Sequence, residues 1–138
     1  MKPVYILDAC ALIAYFNDEK GADVVFDCMQ GLSDGSVLLF MHKINLLEVY
    51  YGFYKESGKA QADKMYIDVI TSGIYIIDNI SDAVLTTAGR LKSLYKVSLG
   101  DAILLAQAYA SGAAVLTCDH HEFDQVSFVE PIVFKWIR

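Results

Sequence analysis

The 138-residue chain is poor in the residues that punctuate or staple a fold, with two prolines, one tryptophan and three cysteines. It has no Pro-rich linker, low-complexity segment or internal repeat. Cys10, Cys28 and Cys118 are odd in number and irregularly spaced. That argues against a disulfide framework and lacks the paired spacing of a structural zinc site, so they read as reduced core residues. Positive charge is also scarce: 11 Lys and Arg face 17 Asp and Glu, for a net charge of −6. Such a balance ordinarily counts against nucleic acid as a partner, because phosphate binding relies on cations. No long apolar run occurs either. The longest stretch without a charged residue, 102–118, is broken by Gln107, Ser111 and Gly112 and is short for a membrane span. Asp8 interrupts the apolar start and no small-residue cleavage site follows, so a secretory leader is not expected. A cytoplasmic protein without membrane contact is the expectation. A glycine-rich phosphate loop is missing as well.

What is present is a 55% hydrophobic composition, enough to fill the core of one ordinary domain, 1–138. Short runs rich in branched and aromatic residues, "VYIL" (4–7), "SVLLF" (36–40), "IYII" (74–77) and "AVLT" (114–117), read as strands buried on both faces. "IVFKW" (132–136) is a weaker fifth. Between them, residues 10–16, 21–31, 44–56, 60–71, 82–96 and 99–111 carry apolar residues at helical spacing, with Ser81 as the N-cap of the clearest case. This alternation predicts an α/β fold, a parallel sheet of four or five strands with helices on both sides. In such a sheet ligands bind beyond the carboxyl ends of the strands.

Two of those ends hold acids. Asp8 follows "VYIL" directly, and Asp119 follows "AVLTC". Glu48 and Asp101 stand in otherwise apolar helical stretches, "INLLEVYYGFY" and "SLGDAILLAQAYA". Glu48 has no cation three or four residues away on its helix, where Asn45, Ile44, Tyr51 and Gly52 stand. Each acid except Glu48 has an ordinary structural explanation: Asp8 as a helix cap, Asp101 in a capping-box-like pattern with Ser98, Asp119 as a turn residue. Taken together, four clustered carboxylates would drive one another toward protonation unless a cation neutralises them. Oxygen ligands of this kind suit Mg²⁺ or Mn²⁺. Thr117 shares an extended-chain face with Asp119, and Asn45 lies one turn before Glu48. Both are candidates to orient a carboxylate, or else an ordinary strand-end threonine and first-turn polar residue. Glu122 and Asp124 read as solvated loop residues. His120 and His121, beside Cys118, raise the thought of a softer metal, although adjacent histidines do not readily share one ion.

The segments "VYILDACALIAYF", "INLLEVYYG", "SLGDAILLAQA" and "VLTCDHHEFDQV" resemble, in order and over essentially the whole chain, the four signature segments of PIN-domain ribonucleases. The likeness is greatest to the compact VapC-like toxins of toxin–antitoxin pairs. The resemblance implies a PIN-like fold and an acidic pocket for Mg²⁺ or Mn²⁺. Asp8, Glu48 and Asp101 would be the core ligands and Asp119 the fourth acid. It implies metal-dependent endoribonuclease activity on an RNA substrate, a cognate antitoxin protein as partner, and homodimerisation. Tyr50, Tyr51, Phe53 and Tyr54 point in nearly all directions from one helix, so some must be exposed or covered; an antitoxin segment in the groove near Met65 and Tyr66 would cover them.

In-line phosphodiester hydrolysis at such a pocket requires no Ser, Cys or His nucleophile. Setting aside the four proposed site acids brings the net charge from −6 to −2, which softens the objection to RNA. Lys43, Arg90, Lys92 and Lys96 are the candidates for backbone contact, each with a solvated helix face as the plainer reading. The competing class is a non-catalytic phosphate-binding or receiver-like signalling module. A receiver would need paired acids after the first strand, where Ala9 and Cys10 follow Asp8, and a phosphatase of the haloacid-dehalogenase type would need an aspartate where Cys10 stands.

Overall fold

The computed structural model describes residues 2–138. Its sheet holds five strands: β1 (Val4–Leu7), β2 (Leu38–His42), β3 (Tyr75–Ile77), β4 (Ala114–Thr117) and β5 (Phe134–Trp136). All neighbours pair in parallel, in the order β3-β2-β1-β4-β5. The helices are α1 (Ala9–Phe16), α2 (Ala22–Asp34), α3 (Lys43–Ser57), α4 (Lys59–Thr71), α5 (Asp82–Leu94), α6 (Leu99–Ser111) and α7 (His120–Val129). Among the described residues no helix is long and apolar enough to cross a membrane.

Alternate residues of the central strands feed two separate cores, as a sheet covered on both faces requires. Ile6 and Val115 pack with Leu91, Leu104, Leu105, Phe123 and Val126 under α5, α6 and α7. Leu7 and Leu116 pack with Leu12, Val25, Leu46, Val49 and Met65 under α1 to α4. Strand order reverses between β1 and β4. That reversal opens a crevice above two adjacent carboxyl ends, the place where open α/β sheets bind ligands.

The five-stranded parallel sheet agrees with the sequence reading, while several element bounds shift by one to three residues and one helix is added. β2 runs two residues later than 36–40. Ser36 is used up in closing α2, donating its N–H to Gly31 O at 2.8 Å, while Met41 and His42 pair with Ile76 and Ile77. The segment after Asp119, read as loop, is α7, with Phe123 and Val126 buried at i, i+3. Its apolar face is only two residues wide, too little for periodicity to reveal.

Gly21, at φ +95°, starts α2 where the chain meets the end of the sheet, and a Cβ there would stand 2.7 Å from Ile137 O. Both the left-handed backbone and the backbone clash oppose any side chain. Gly21→Ala is expected to destabilise the protein by roughly 1–3 kcal/mol, read as a lowered urea midpoint with unchanged slope.

Candidate metal centre

The residues above the β1/β4 crevice are positioned by helix starts. Asp8 leaves β1 and caps α1, with Oδ1 accepting from Ala9 N at 2.7 Å. Its Oδ2 accepts from Thr117 Oγ1 at 2.8 Å and from Cys10 Sγ at 3.1 Å. Thr117, at the end of β4 and fully buried, also receives Asp119 N at 3.0 Å, so one hydroxyl ties both strand-end acids together. Asp119 caps α7, its Oδ1 accepting from Glu122 N at 3.0 Å. Asp101 lies in the first turn of α6, where its N–H donates to the Ser98 cap at 3.1 Å. Asn45 in α3, fully buried, donates Nδ2 to Gly100 O at 3.3 Å. That bond fastens the start of α6 to the helix carrying Glu48.

Asp8 is 2% exposed and Asp101 7%, yet none of the ion pairs among the described residues involves Asp8, Glu48, Asp101, Asp119 or Glu122. The consequence is a set of carboxyls that resist ionisation. Burial, then the neighbouring Cys10, raises Asp8 well above the carboxylate range. Burial, then the Asp8 charge, pushes Asp101 up to about 7, with Glu48 and Asp119 adding to the rise and Ser98 opposing it. Glu48 is raised by burial, then by Asp119 and Glu122. These mutual effects place the four sequence-identified acids in one electrostatic cluster.

Glu122 belongs to the same cluster, contrary to its reading as a solvated loop residue. Its Oε2 is buried without a hydrogen-bond partner, and its charge acts on Glu48. The three-residue step from Asp119 to Glu122 is capping-box spacing. It could have signalled a helix start at Asp119, but the reciprocal bond does not form, because Thr117 already holds Asp119 N. His42 also escaped the sequence reading. It is 3% exposed and caps α3, Nδ1 accepting from Ile44 N at 3.3 Å while Nε2 donates to Asn79 O at 3.1 Å. Burial lowers its pKa, consistent with a neutral ring that fixes the β2–α3 corner.

The donor set fits a hard divalent cation: carboxylate oxygens, an orphaned buried Glu122 Oε2 and an orphaned buried Asn45 Oδ1. As the side chains stand, no group of three or more His, Cys, Asp or Glu among the described residues is placed to hold an ion. Mutual repulsion accounts for carboxylates that gather without closing. The histidines turn elsewhere. His120 pairs with Asp124 at 2.8 Å, donates Nε2 to Arg138 O at 3.0 Å and stacks on Trp136 at 3.9 Å between ring centroids. His121 is exposed.

The basic candidates separate. Arg90, one of the expected RNA contacts, bonds Glu130 through both terminal nitrogens, at 3.0 and 2.8 Å. It also stands 5.6 Å from the Tyr109 ring at the far end of α6 from Asp101. Lys92 donates to Val97 O at 2.8 Å, closing the end of α5. Lys43 and Lys96 are exposed. A groove of about 320 Å³ between α3 and α4 is lined by Lys43, Leu46, Leu47, Tyr50, Asp63 and Tyr66. Beside it Tyr51 and Tyr54 are exposed, whereas Phe53 packs against the core.

A crevice above a five-stranded parallel sheet, lined by acids from four separate segments, defines an acid-cluster α/β protein. The PIN domain family model matches residues 5–129, and the chain belongs to that family. PIN nucleases generally use divalent metals. Similar solved structures include VapBC from Salmonella typhimurium bound to DNA, at 17% identity, TM-score 0.74 and full coverage of both chains. VapBC2 from Rickettsia felis, bound to a promoter DNA fragment, is 19% identical with TM-score 0.73, covering 96% of this chain and 97% of that one. VapC20 of Mycobacterium tuberculosis, a toxin that cleaves the Sarcin-Ricin loop, is 14% identical with TM-score 0.67, covering 91% and 97%. A comparison with curated proteins finds no match.

The raised Asp101 pKa sets the sign of a pH dependence. In the folded, ion-free protein the group holds its proton to about 7, against an ordinary 3.8. Its favourable contribution is therefore complete below 3.8 and is lost as pH rises toward 7. Ion-free Asp101→Asn is expected to be more stable than the parent at pH 8, by roughly 2 kcal/mol or more, with the advantage shrinking toward pH 4. Urea unfolding in EDTA across that range checks it.

Proposed function

We propose that the protein is a divalent-metal-dependent endoribonuclease, the VapC-like toxin of a toxin–antitoxin pair, acting in the cytoplasm as one PIN-like domain. The observation that carries this reading is the cluster itself. Five acids from four segments act on one another electrostatically, and among the described residues no cationic side chain pairs with any of them. The family match and the likeness to toxin–antitoxin structures support it.

Asp8, Asp101 and Glu48 would hold Mg²⁺ or Mn²⁺, with Asp119 and Glu122 completing the acidic ring. When bound, such an ion lowers the pKa of water and offsets charge developing on a phosphodiester. The chain's own part is positioning. Thr117, Cys10 and Ala9 N fix the two oxygens of Asp8, and Asn45 holds α3 against α6 so that Glu48 faces Asp101. Lys43 and Lys96 remain as contacts for the RNA backbone. The signalling-module alternative loses ground, because a phosphate acceptor would gain nothing from five unpaired acids facing one another.

The α3–α4 groove is the site we assign to the antitoxin. Exposed Leu47 (59%) and Tyr66 (37%) line it, and its single free cation, Lys43, favours a partner segment with apolar anchors and an acid. Exposed Phe128, Val129 and Val133 near the opposite edge supply apolar surface for a homodimer.

Purified, antitoxin-free protein is expected to cut cellular RNA with Mg²⁺ or Mn²⁺ and not with EDTA. Asp8→Asn and Glu48→Gln should lose on the order of 10³-fold in rate, and Glu122→Gln roughly 10- to 100-fold. No cutting by a folded, metal-supplied parent, or equal cutting by the variants, would refute the assignment.

A further inference from the structure

Two of the three free cysteines meet inside the acidic crevice. Cys10, in the first turn of α1, and Cys118, just beyond β4, are both partly exposed, while Cys28 is buried in the core beneath α2. Cys118 N donates to Cys10 Sγ at 3.1 Å, which brings the two residues together across the start of α1 and the end of β4. Cys10 Sγ also lies 3.1 Å from Asp8 Oδ2 and 3.3 Å from Thr117 Oγ1. The sulfur is thus one of the two side-chain partners of the most buried acid in the cluster and also touches the other, Thr117. A pair of partly exposed cysteines joined across two chain segments by that bond is placed to oxidise to an internal disulfide. Core packing alone would not place one of them on a carboxylate oxygen.

We propose that Cys10 and Cys118 form a redox-modification site at which oxidation by a peroxide closes a reversible disulfide and weakens cation binding at Asp8. The chemistry balances. The Cys118 sulfur attacks one peroxide oxygen, the O–O bond breaks, and one water leaves with a sulfenic acid on Cys118. The Cys10 sulfur then displaces that hydroxyl, which leaves with the thiol proton as a second water. Two thiols lose two electrons in total and one peroxide is reduced to two waters. A dithiol reverses the step by exchange, becoming a disulfide itself.

The consequence follows from the hydrogen bonds. Once Cys10 has no S–H, Asp8 Oδ2 loses a donor and keeps only Thr117, and α1 is tied covalently to the chain after β4. Asp8 is then held by Ala9 N and Thr117 alone, and its Oδ2 is fixed less firmly. This consequence rests on the reading of Asp8 as a cation ligand, whereas disulfide formation itself does not.

The test treats the whole protein with hydrogen peroxide and maps disulfides by mass spectrometry of non-reduced peptides. Mn²⁺ affinity and RNA cleavage are then measured before oxidation, after it, and after dithiothreitol. The expected result is a Cys10–Cys118 linkage, Mn²⁺ binding weakened roughly tenfold, a parallel loss of cleavage, and recovery on reduction. Cys118→Ser should cut RNA but ignore peroxide, while Cys28→Ser should keep the parent's sensitivity. Oxidation that leaves Cys10 and Cys118 unlinked, or a linkage that leaves Mn²⁺ affinity unchanged, would overturn the proposal. If the reduced parent neither bound Mn²⁺ nor cut RNA, the nuclease reading would fail and the functional consequence with it. The peptide map would still decide whether the cysteines pair.

Discussion

Repulsion among carboxyls at the reversal point of the sheet is the constraint on which the arrangement depends. Asp8 and Asp101 are almost wholly removed from water, and taking an unpaired carboxylate out of water costs several kcal/mol. The local devices that offset this are small by comparison. Asp8 and Asp119 cap α1 and α7, and Asp101 and Glu122 lie in the first turns of α6 and α7. Four of the five acids therefore sit at the positive ends of helices, each such placement worth about 0.3–1 kcal/mol. Since those gains do not cover burial, Asp8 and Asp101 hold their protons well above the usual carboxylate range in the ion-free protein. A divalent cation would offset that deficit.

Capping and metal binding are consequently not competing explanations for these residues. The caps at Asp8 and Asp119 fix the backbone corners after β1 and β4 and would at the same time bring carboxylate oxygens to the proposed site. Glu48 is the exception, a mid-helix acid brought to the site by the bond from Asn45 to the start of α6. The scaffold beneath is rigid because β1 and β4 each send alternate residues into two dense cores. That rigidity holds the acids near one another against their repulsion.

Much of this was legible in the sequence. The buried runs at 4–7 and 114–117 located the two central strands, and the acids that follow them identified the crevice, since chain order alone places residues at strand ends. Glu48 stood out because neither a cap nor a turn explained it. Glu122 and His42 were not legible, for different reasons. Glu122 depends on α7, whose buried face is just Phe123 and Val126, too short to register as periodic. His42 depends on the register of β2 against β3, a long-range pairing that no local pattern encodes. The Arg90 ion pair was not legible either, because its partner, Glu130, lies forty residues away in sequence.

The account stands on one ion among Asp8, Glu48 and Asp101, and anomalous diffraction from crystals soaked in Mn²⁺ tests that most directly. A peak bridging these carboxylates, lost in Asp8→Asn crystals, is the predicted result. A peak at other residues alone, or none in crystals whose acids remain drawn apart at saturating Mn²⁺, would contradict it.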